Sequence, residues 1–347
     1  MVSPVPDIDR RHLRAAQAGD ERAFRELVEL HRPALQSHCY RMLGSLQDSE
    51  DAFQDTMLRA WRSIESLEDD RMLKRWLYRI ATNVCLTALR TADRRALPVD
   101  LGPSVTSGSH AAEPADDVRW IGPYPDHLID EDAPDPARQF EAREAIELSF
   151  VAALQHLPAR QRAALVLADV LGFRAAEIAG QLETTEAAVN SALQRARERI
   201  RERLPDRSQQ VAARALSDPR LSEISASFIA AMESGDERAI VALLSEDVSF
   251  EMPPYRAWSR GREAVARSWL IPTATPPGLK LLPAPMNGQL GFGVYALSSD
   301  RTAYLPAVLD VVSLEGDRIS RVVAFRTAEA FERFGLPPAI ERSEVGN

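Results

Sequence analysis

Apolar residues recur at spacings of three and four over most of the first two hundred positions, and this is the helical period. After the break at Gly19-Asp20, the run ERAFRELVELHRPALQSHCYRML has Phe24, Leu27, Val28 and Leu30 at helical spacing and ends at Gly44. DSEDAFQDTMLRAWRSI predicts a second helix with Ala52, Phe53, Met57, Ala60, Trp61 and Ile64 as its apolar face. RMLKRWLYRIATNVCLTALR predicts a third, or a bent pair. Periodicity then lapses over residues 96–138, which carry seven prolines and many acids, as a linker does. One apolar island, RWIGPYPD, interrupts that stretch and reads as a docking segment or as padding for a neighbouring domain.

Helical spacing resumes at Pro136 and runs to Pro158, and ARQRAALVLADVLGF follows, stopped by Gly172. RAAEIAGQL, the short turn ETT and VNSALQRARERIRERL then have the grammar of a helix-turn-helix, with Ile178, Ala179, Leu182, Val189 and Leu193 as its core. Beyond Asp206 the pattern changes. Two helices, through Phe228 and through ERAIVALLS, precede the alternating VSFEMP, the helix GREAVARSWL and three strand-like runs, QLGFGVYALS, AYLPAVLDVVSL and RISRVVAFR. EGD at 315–317 is a hairpin turn signal. The expected fold class is multidomain: two all-α domains, the second with a helix-turn-helix, then an α+β domain with an antiparallel sheet. The expected boundaries are 1–95, an acidic linker 96–138, 139–207 and 208–347.

Charge refines this picture. The chain of 347 residues has a net charge of -9, yet residues 48–70 carry net -6, 71–95 net +6 and 96–141 net -8. An acidic helix, a basic helix and an acidic tether are three different surfaces. Arg195, Arg197, Arg199, Arg201 and Arg203 place cations on both shoulders of an apolar seam, which suits either a solvated face or a helix lying between two DNA backbones. Cys39 and Cys85 lack metal-ligand or framework spacing. No apolar run reaches membrane-spanning length and no secretory leader is evident, so the expectation is a cytoplasmic protein without membrane contact. All six histidines lie at or before His156, leaving the tail without His or Cys. Neither a metal site nor a cofactor is expected there, and histidine acid–base chemistry is excluded from it.

DSEDAFQDTMLRAW, RWLYRIATNVCLTALR and EIAGQLETTEAAVNSALQRARERI resemble, in order, three segments of the extracytoplasmic-function (ECF) sigma factors: the one that grips the polymerase clamp helices, the promoter-melting region and the second DNA-binding domain. The two matches cover residues 20–95 and 139–204. The tail, about 208–338, resembles SnoaL-like domains, cone-shaped α+β folds that some ECF groups carry. In the family's helix-turn-helix a glycine commonly follows the leucine, and here that position is Glu183.

The resemblance implies a non-enzymatic alternative sigma factor whose partners are core RNA polymerase, through its clamp and flap, and promoter DNA. Glu50, Asp51, Gln54, Asp55 and Arg59 are the expected polymerase contacts, with Trp61 either an anchor or a core residue. Arg75, Trp76, Tyr78, Arg79 and Asn83 are the expected melting face, where aromatic rings stack bases and cations follow the backbone. Trp76 fits the core equally well. Glu186, Ala187, Asn190, Ser191 and Gln194 would face the major groove, and Arg195, Arg197 and Arg199 the phosphates. Tyr255, Trp258, Trp269 and Asp310 are candidate tail-pocket residues, Asp310 being either a buried carboxyl or a solvent-facing one. The tail and linker are expected to regulate activity by intramolecular contact with the sigma domains. Two other classes compete: a DNA-binding regulator with a ligand-sensing tail, which needs no melting region, and an enzyme, disfavoured by the His- and Cys-free tail.

Overall fold

A computed structural model describes residues 7–67, 69–105, 113–129, 136–266 and 278–342. It divides into two compact units that do not follow chain order: 1–94, 128–145 and 153–204 form the first, and 95–127, 146–152 and 205–347 the second.

The first unit is helical. It contains α1 (Asp7–Gln17), α2 (Glu21–Glu29), α3 (Arg32–Leu43), α4 (Leu46–Ser63), α5 (Leu73–Ala88), α6 (Pro136–Glu144), the end of α7 (Leu148–Gln155), α8 (Ala159–Leu165), α9 (Ala175–Gln181) and α10 (Glu186–Arg201). Asp20 starts α2 by accepting hydrogen bonds from the N–H groups of Arg22 and Ala23 at 2.9 and 3.1 Å. The long apolar run beginning at Glu21 is two helices, because Pro33 lacks the N–H that would continue α2 and fits instead in the first turn of α3.

Helix α3 is buried from Leu35 to Leu43, so its polar groups need partners inside the protein. His38 Nε2 lies 3.0 Å from Thr82 Oγ1 on α5. Arg41 Nε donates to the Ala145 carbonyl at 3.0 Å. Arg162, on α8, donates to the carbonyl of Met42 and to Gln155 Oε1 at 2.7 Å. Its other amino group donates to the carbonyls of Gln155 and Leu157 at 3.1 and 3.3 Å. A cation against the C-terminal carbonyls of α3 also meets the negative end of the helix dipole. Burial nevertheless lowers the guanidinium's pKa to about 10. These bonds tie α3 of the predicted first domain to α8 of the predicted helix-turn-helix domain.

The second unit contains α11 (Gln209–Ala215), α12 (Asp218–Ser234), α13 (Glu237–Leu243) and seven strands. These are β1 (Leu244–Glu251), β2 (Trp258–Arg260), β3 (Leu279–Pro283), β4 (Leu290–Leu297), β5 (Ala303–Glu315), β6 (Arg318–Phe325) and β7 (Ile340–Glu341). The order is β2-β1-β6-β5-β4-β3, with β7 on β5. The expected hairpin joins β5 to β6 with Glu315 opposite Arg318, and Gly316 takes φ 58° there. The sheet is mixed rather than antiparallel, since β1 runs parallel to β6. Alternation within a strand reports which face is buried, but not the direction of its neighbour. Phe228 of α12 packs on Phe292 of β4, centroids 5.0 Å apart, in a core shared with Val248, Phe250, Val312 and Val322. This is the α+β architecture expected of the tail.

The described residues among 95–127 are packed into the second unit rather than left as a free tether. The island's Ile121 and Tyr124 are fully buried. The Tyr124 N–H donates to Asn287 Oδ1 at 2.9 Å, and the Asn287 N–H donates to the Tyr124 carbonyl at 2.8 Å. On the sheet face opposite Phe250 and Val322, buried Glu251 pairs with Arg321 at 2.7 Å and accepts the Val99 N–H at 3.1 Å. The apolar island supplies the contacts that prolines and acids obscured in the sequence. Glu147 caps α11, accepting from the N–H groups of Gln209 and Gln210 at 2.9 and 2.8 Å. The linker acids Asp130, Glu131, Asp132 and Asp135 lie outside the described residues.

Candidate polymerase and nucleic-acid interfaces

Helix α4 buries Leu46, Ser49, Ala52, Phe53, Thr56 and Ala60. Its opposite face exposes Asp51, Gln54, Asp55 and Arg59, with Glu50 half-buried. The predicted polymerase residues therefore share one outward, mainly acidic face. Trp61 is half-buried, edge-on to Phe24 with centroids 5.1 Å apart. It also lines a groove of about 380 Å³ between α2 and α4, together with Phe24, Val28, Met57 and Leu58. Leu58, not among the expected contacts, is 55% exposed where it lines the groove. Its signal was an apolar residue off the buried stripe of α4.

On α5, Arg75, Trp76 and Asn83 are half-buried and Arg79 is exposed, and the spacing 75, 79, 83 puts them on one flank. Tyr78 departs from expectation. It is 2% exposed, held edge-on between His38 and Phe173 at 5.3 and 5.8 Å, so no base can stack on it in this conformation. Both arginines face acids of the helix-turn-helix. Arg75 Nη1 lies 3.7 Å from Glu177 Oε1, and Arg79 Nη2 lies 3.5 Å from Glu183 Oε1.

Helix α10 begins at Thr185, whose hydroxyl accepts the Ala188 N–H at 3.2 Å. Val189, Leu193, Ala196 and Ile200 form the predicted buried seam. Glu186, Ala187, Asn190, Ser191, Gln194, Arg195 and Arg199 are all exposed. Arg197 is exposed but already occupied: its guanidinium grips Asp169, Nε to Oδ2 at 3.0 Å and Nη2 to Oδ1 at 2.6 Å. Asp169 lies in a π-helical turn, Val166–Val170, that closes the helix before the motif. That hydrogen bond raises the Arg197 pKa further. The preceding turn keeps left-handed geometry although it lacks glycine, as Glu183 has φ 51°.

The described candidate residues of the tail, Tyr255, Trp258 and Asp310, have different surroundings. Arg326 donates to the Tyr255 hydroxyl and stands over its ring. Trp258 Nε1 donates to the Gly102 carbonyl at 2.8 Å. Trp269 lies outside the described residues. Asp310 is buried on β5, opposite Phe292 and Ala324, with Oδ1 unpartnered, and burial pushes its carboxyl up to about 7. Among the described residues no His/Cys/Asp/Glu cluster is placed to hold a metal, and no helix is long and apolar enough to cross a membrane.

An acidic outward helix, a basic aromatic-bearing helix and a helix-turn-helix in one chain are the surfaces that a transcription initiation factor needs. The sigma-70 region 2 family matches residues 27–95, and the sigma-70 region 4 family matches residues 147–200. The chain is 39% identical over 329 residues to the ECF RNA polymerase sigma factor SigG of Mycobacterium tuberculosis, covering 93% of this chain and 87% of that protein. It is 33% identical over 187 residues to SigM of the same species, covering 54% of this chain and 80% of that one. The crystal structure of the M. tuberculosis ECF sigma factor SigJ shares the fold, with TM-score 0.56 and 24% identity over 90% of this chain and 99% of that one. The chain belongs to the ECF RNA polymerase sigma factor family. It is thus an alternative sigma factor that works with core RNA polymerase to direct transcription from its promoters.

Proposed function

We propose that three surfaces of the first unit divide this work. The acidic face of α4, Glu50, Asp51, Gln54, Asp55 and Arg59, docks on the polymerase clamp, with Trp61 and the adjoining groove as its apolar anchor, while the helix-turn-helix domain meets the flap. The flank of α5 holds the melted upstream element: Arg75 and Arg79 follow the strand, Trp76 offers its ring, Tyr78 supports the flank from beneath as a buried residue, and Asn83 pairs with a base edge. Helix α10 enters the major groove with Asn190 and Gln194 suited to adenine edges and Glu186 to cytosine N4, while Arg195 and Arg199 reach phosphates. Ala187 and Ser191 complete the groove-facing side. The second unit, residues 95–127 included, regulates this activity rather than catalysing a reaction.

The observation that carries this reading is the single exposed face holding Asn190, Ser191 and Gln194 above a buried Val189–Leu193–Ala196–Ile200 seam. It is tested with a promoter library transcribed by the full chain and bacterial core polymerase. Gln194→Ala should shift sequence preference in the upstream element, whereas Arg195→Ala should weaken all promoters alike. Equal effects of the two changes on every promoter would refute the assignment.

A further inference from the structure

The chain has two cysteines among its 347 residues, and the fold brings them together from different helices. Cys39 follows His38 on α3, and Cys85 lies one turn beyond Thr82 on α5. The His38–Thr82 contact at 3.0 Å therefore sets the two helices in register at the level of the cysteines. Both cysteines are fully buried, and their thiols share a hydrogen bond.

Cysteines that meet by packing alone sit among apolar side chains, where they are inert. This pair has charged and polar company. The Arg162 guanidinium acts on Cys85. Its own hydrogen bonds go to carbonyls and to one side-chain amide, and its Nε is buried without a partner. His38 Nδ1 is likewise buried without a partner. A cation without an anion among its bonds, two unsatisfied nitrogens and two thiols make a setting that an ordinary core avoids, and such settings mark sites where charge changes. The hydrogen bond to Cys39, and burial after it, push the Cys85 thiol up, with Arg162 opposing both. In the closed core the Cys85 thiol therefore keeps its proton, and reaction waits on opening of the α3–α5 seam. A thiolate formed there has its counter-ion at hand.

We propose that Cys39 and Cys85 are a redox site, a dithiol that a low-molecular-weight disulfide such as oxidised glutathione converts to a disulfide joining α3 to α5. One cysteine thiolate attacks the glutathione disulfide, whose S–S bond breaks as a mixed disulfide forms and a glutathione thiolate leaves. The second cysteine attacks the mixed disulfide at the protein sulfur and releases the second glutathione. Two electrons pass from the cysteines to glutathione, and the two cysteine protons end on its two thiols. The new bond holds the sulfurs closer than thiol contact does, so α5 is drawn toward α3. Helical spacing turns Arg79 and Asn83 away from Cys85, and a rigid helix carries the shift to them. That last consequence rests on the reading of α5 as the melting flank.

The test equilibrates the full chain with reduced and oxidised glutathione at a series of ratios, in native buffer and in urea, and counts thiols by alkylation after acid quenching. Equilibrium is what is read, so slow access to buried thiols does not decide the outcome. If the fold holds the sulfurs ready to bond, the native chain should be half oxidised at a value of [GSH]²/[GSSG] roughly thirty- to a thousandfold higher than the unfolded chain requires, the usual effect of a native disulfide. Mass spectrometry should find one bond between Cys39 and Cys85 within a single chain and no retained glutathione. A native chain no easier to oxidise than the unfolded one, or a reaction that stops at a glutathione adduct, would overturn the site. The oxidised chain, freed of glutathione and added to core polymerase, should give roughly threefold fewer run-off transcripts or less than the reduced chain. Dithiothreitol should restore them, and Cys39→Ala or Cys85→Ala should make transcription insensitive to the treatment. Equal transcription from oxidised and reduced chains would overturn the coupling to α5. If neither form transcribed, the melting-flank reading would fail, and the glutathione equilibrium would still decide the site.

Discussion

Arg197 and Asp169 form a two-pronged pair, at 3.0 and 2.6 Å, that ties the middle of α10 to the π-helical turn 28 residues earlier. An arginine expected to reach DNA is thereby a strut within its own domain. For a pair whose arginine side chain is 51% exposed, about 0.5–1 kcal/mol is the appropriate scale. Arg197→Ala and Asp169→Ala should therefore each lower the folding stability by about that amount, and the double variant by little more than either single one. Chemical denaturation of the four chains measures the coupling. Full additivity would leave Arg197 free to be a phosphate contact.

Arg162 should be far less tolerant of change. It is buried, and its donors satisfy the carbonyls of Met42, Gln155 and Leu157 with no carboxylate among them. Truncation to Ala orphans several buried acceptors and opens a cavity, for an expected loss of about 2–4 kcal/mol. Thermal unfolding of Arg162→Ala against the parent reads it directly, and a change below about 1 kcal/mol would show that these bonds do not hold α3 to α8.

Two buried groups predict opposite pH trends in the two units. Burial, with the Arg41 charge adding to it, holds His38 down to about 3. A base depressed in the folded state contributes stability above its unfolded pKa of about 6.5, and that contribution is lost as pH falls toward 3. Asp310 is raised to about 7, so the folded second unit keeps a proton that the unfolded chain releases near 4. Its stability should fall as pH rises between those values and level off above them. Asp310→Asn should flatten the falling limb and raise the stability of the second unit at about pH 8, on the order of several kcal/mol. Hydrogen exchange resolved by segment separates the two trends, and parallel pH profiles in both units would contradict the assignment.

Residues 95–127 should be required for the second unit to fold well. Tyr124 is fully buried and its backbone exchanges two hydrogen bonds with Asn287. Tyr124→Ala should cost about 3–5 kcal/mol, the range for losing a large buried aromatic. A chain beginning near residue 208 should expose apolar surface that a peptide spanning 95–127 covers when added in trans. Dye binding and calorimetry check both expectations.

What the sequence disclosed depended on how local the signal was. The stripe Val189, Leu193, Ala196, Ile200 and the strand alternation at Val248 and Phe250 are written in adjacent residues, so helix, strand and exposed face could be read from them. The parallel pairing of β1 with β6 could not, because it joins residues about seventy positions apart. Nor could the burial of Tyr78, which depends on His38 of α3 and on Phe173 in the loop before α9. Arg197 looked free because Asp169 lies outside its own helix. The island Trp120–Tyr124 was legible as apolar, but its docking site at Asn287 was not. Asp310 shows the ambiguity plainly: a charged residue among Val308, Leu309, Val311 and Val312 has two faces to choose from, and the choice belongs to the sheet.

The most direct measurement is run-off transcription from a promoter library with bacterial core polymerase and the full chain. Discrete transcripts that depend on the chain and share an upstream sequence are the expected result. Loss of all of them on charge reversal of Asp51 and Asp55, with fold and DNA binding intact, would place the polymerase contact on α4. No transcript from any promoter, while a control sigma factor is active under the same conditions and this chain is folded, would contradict the account.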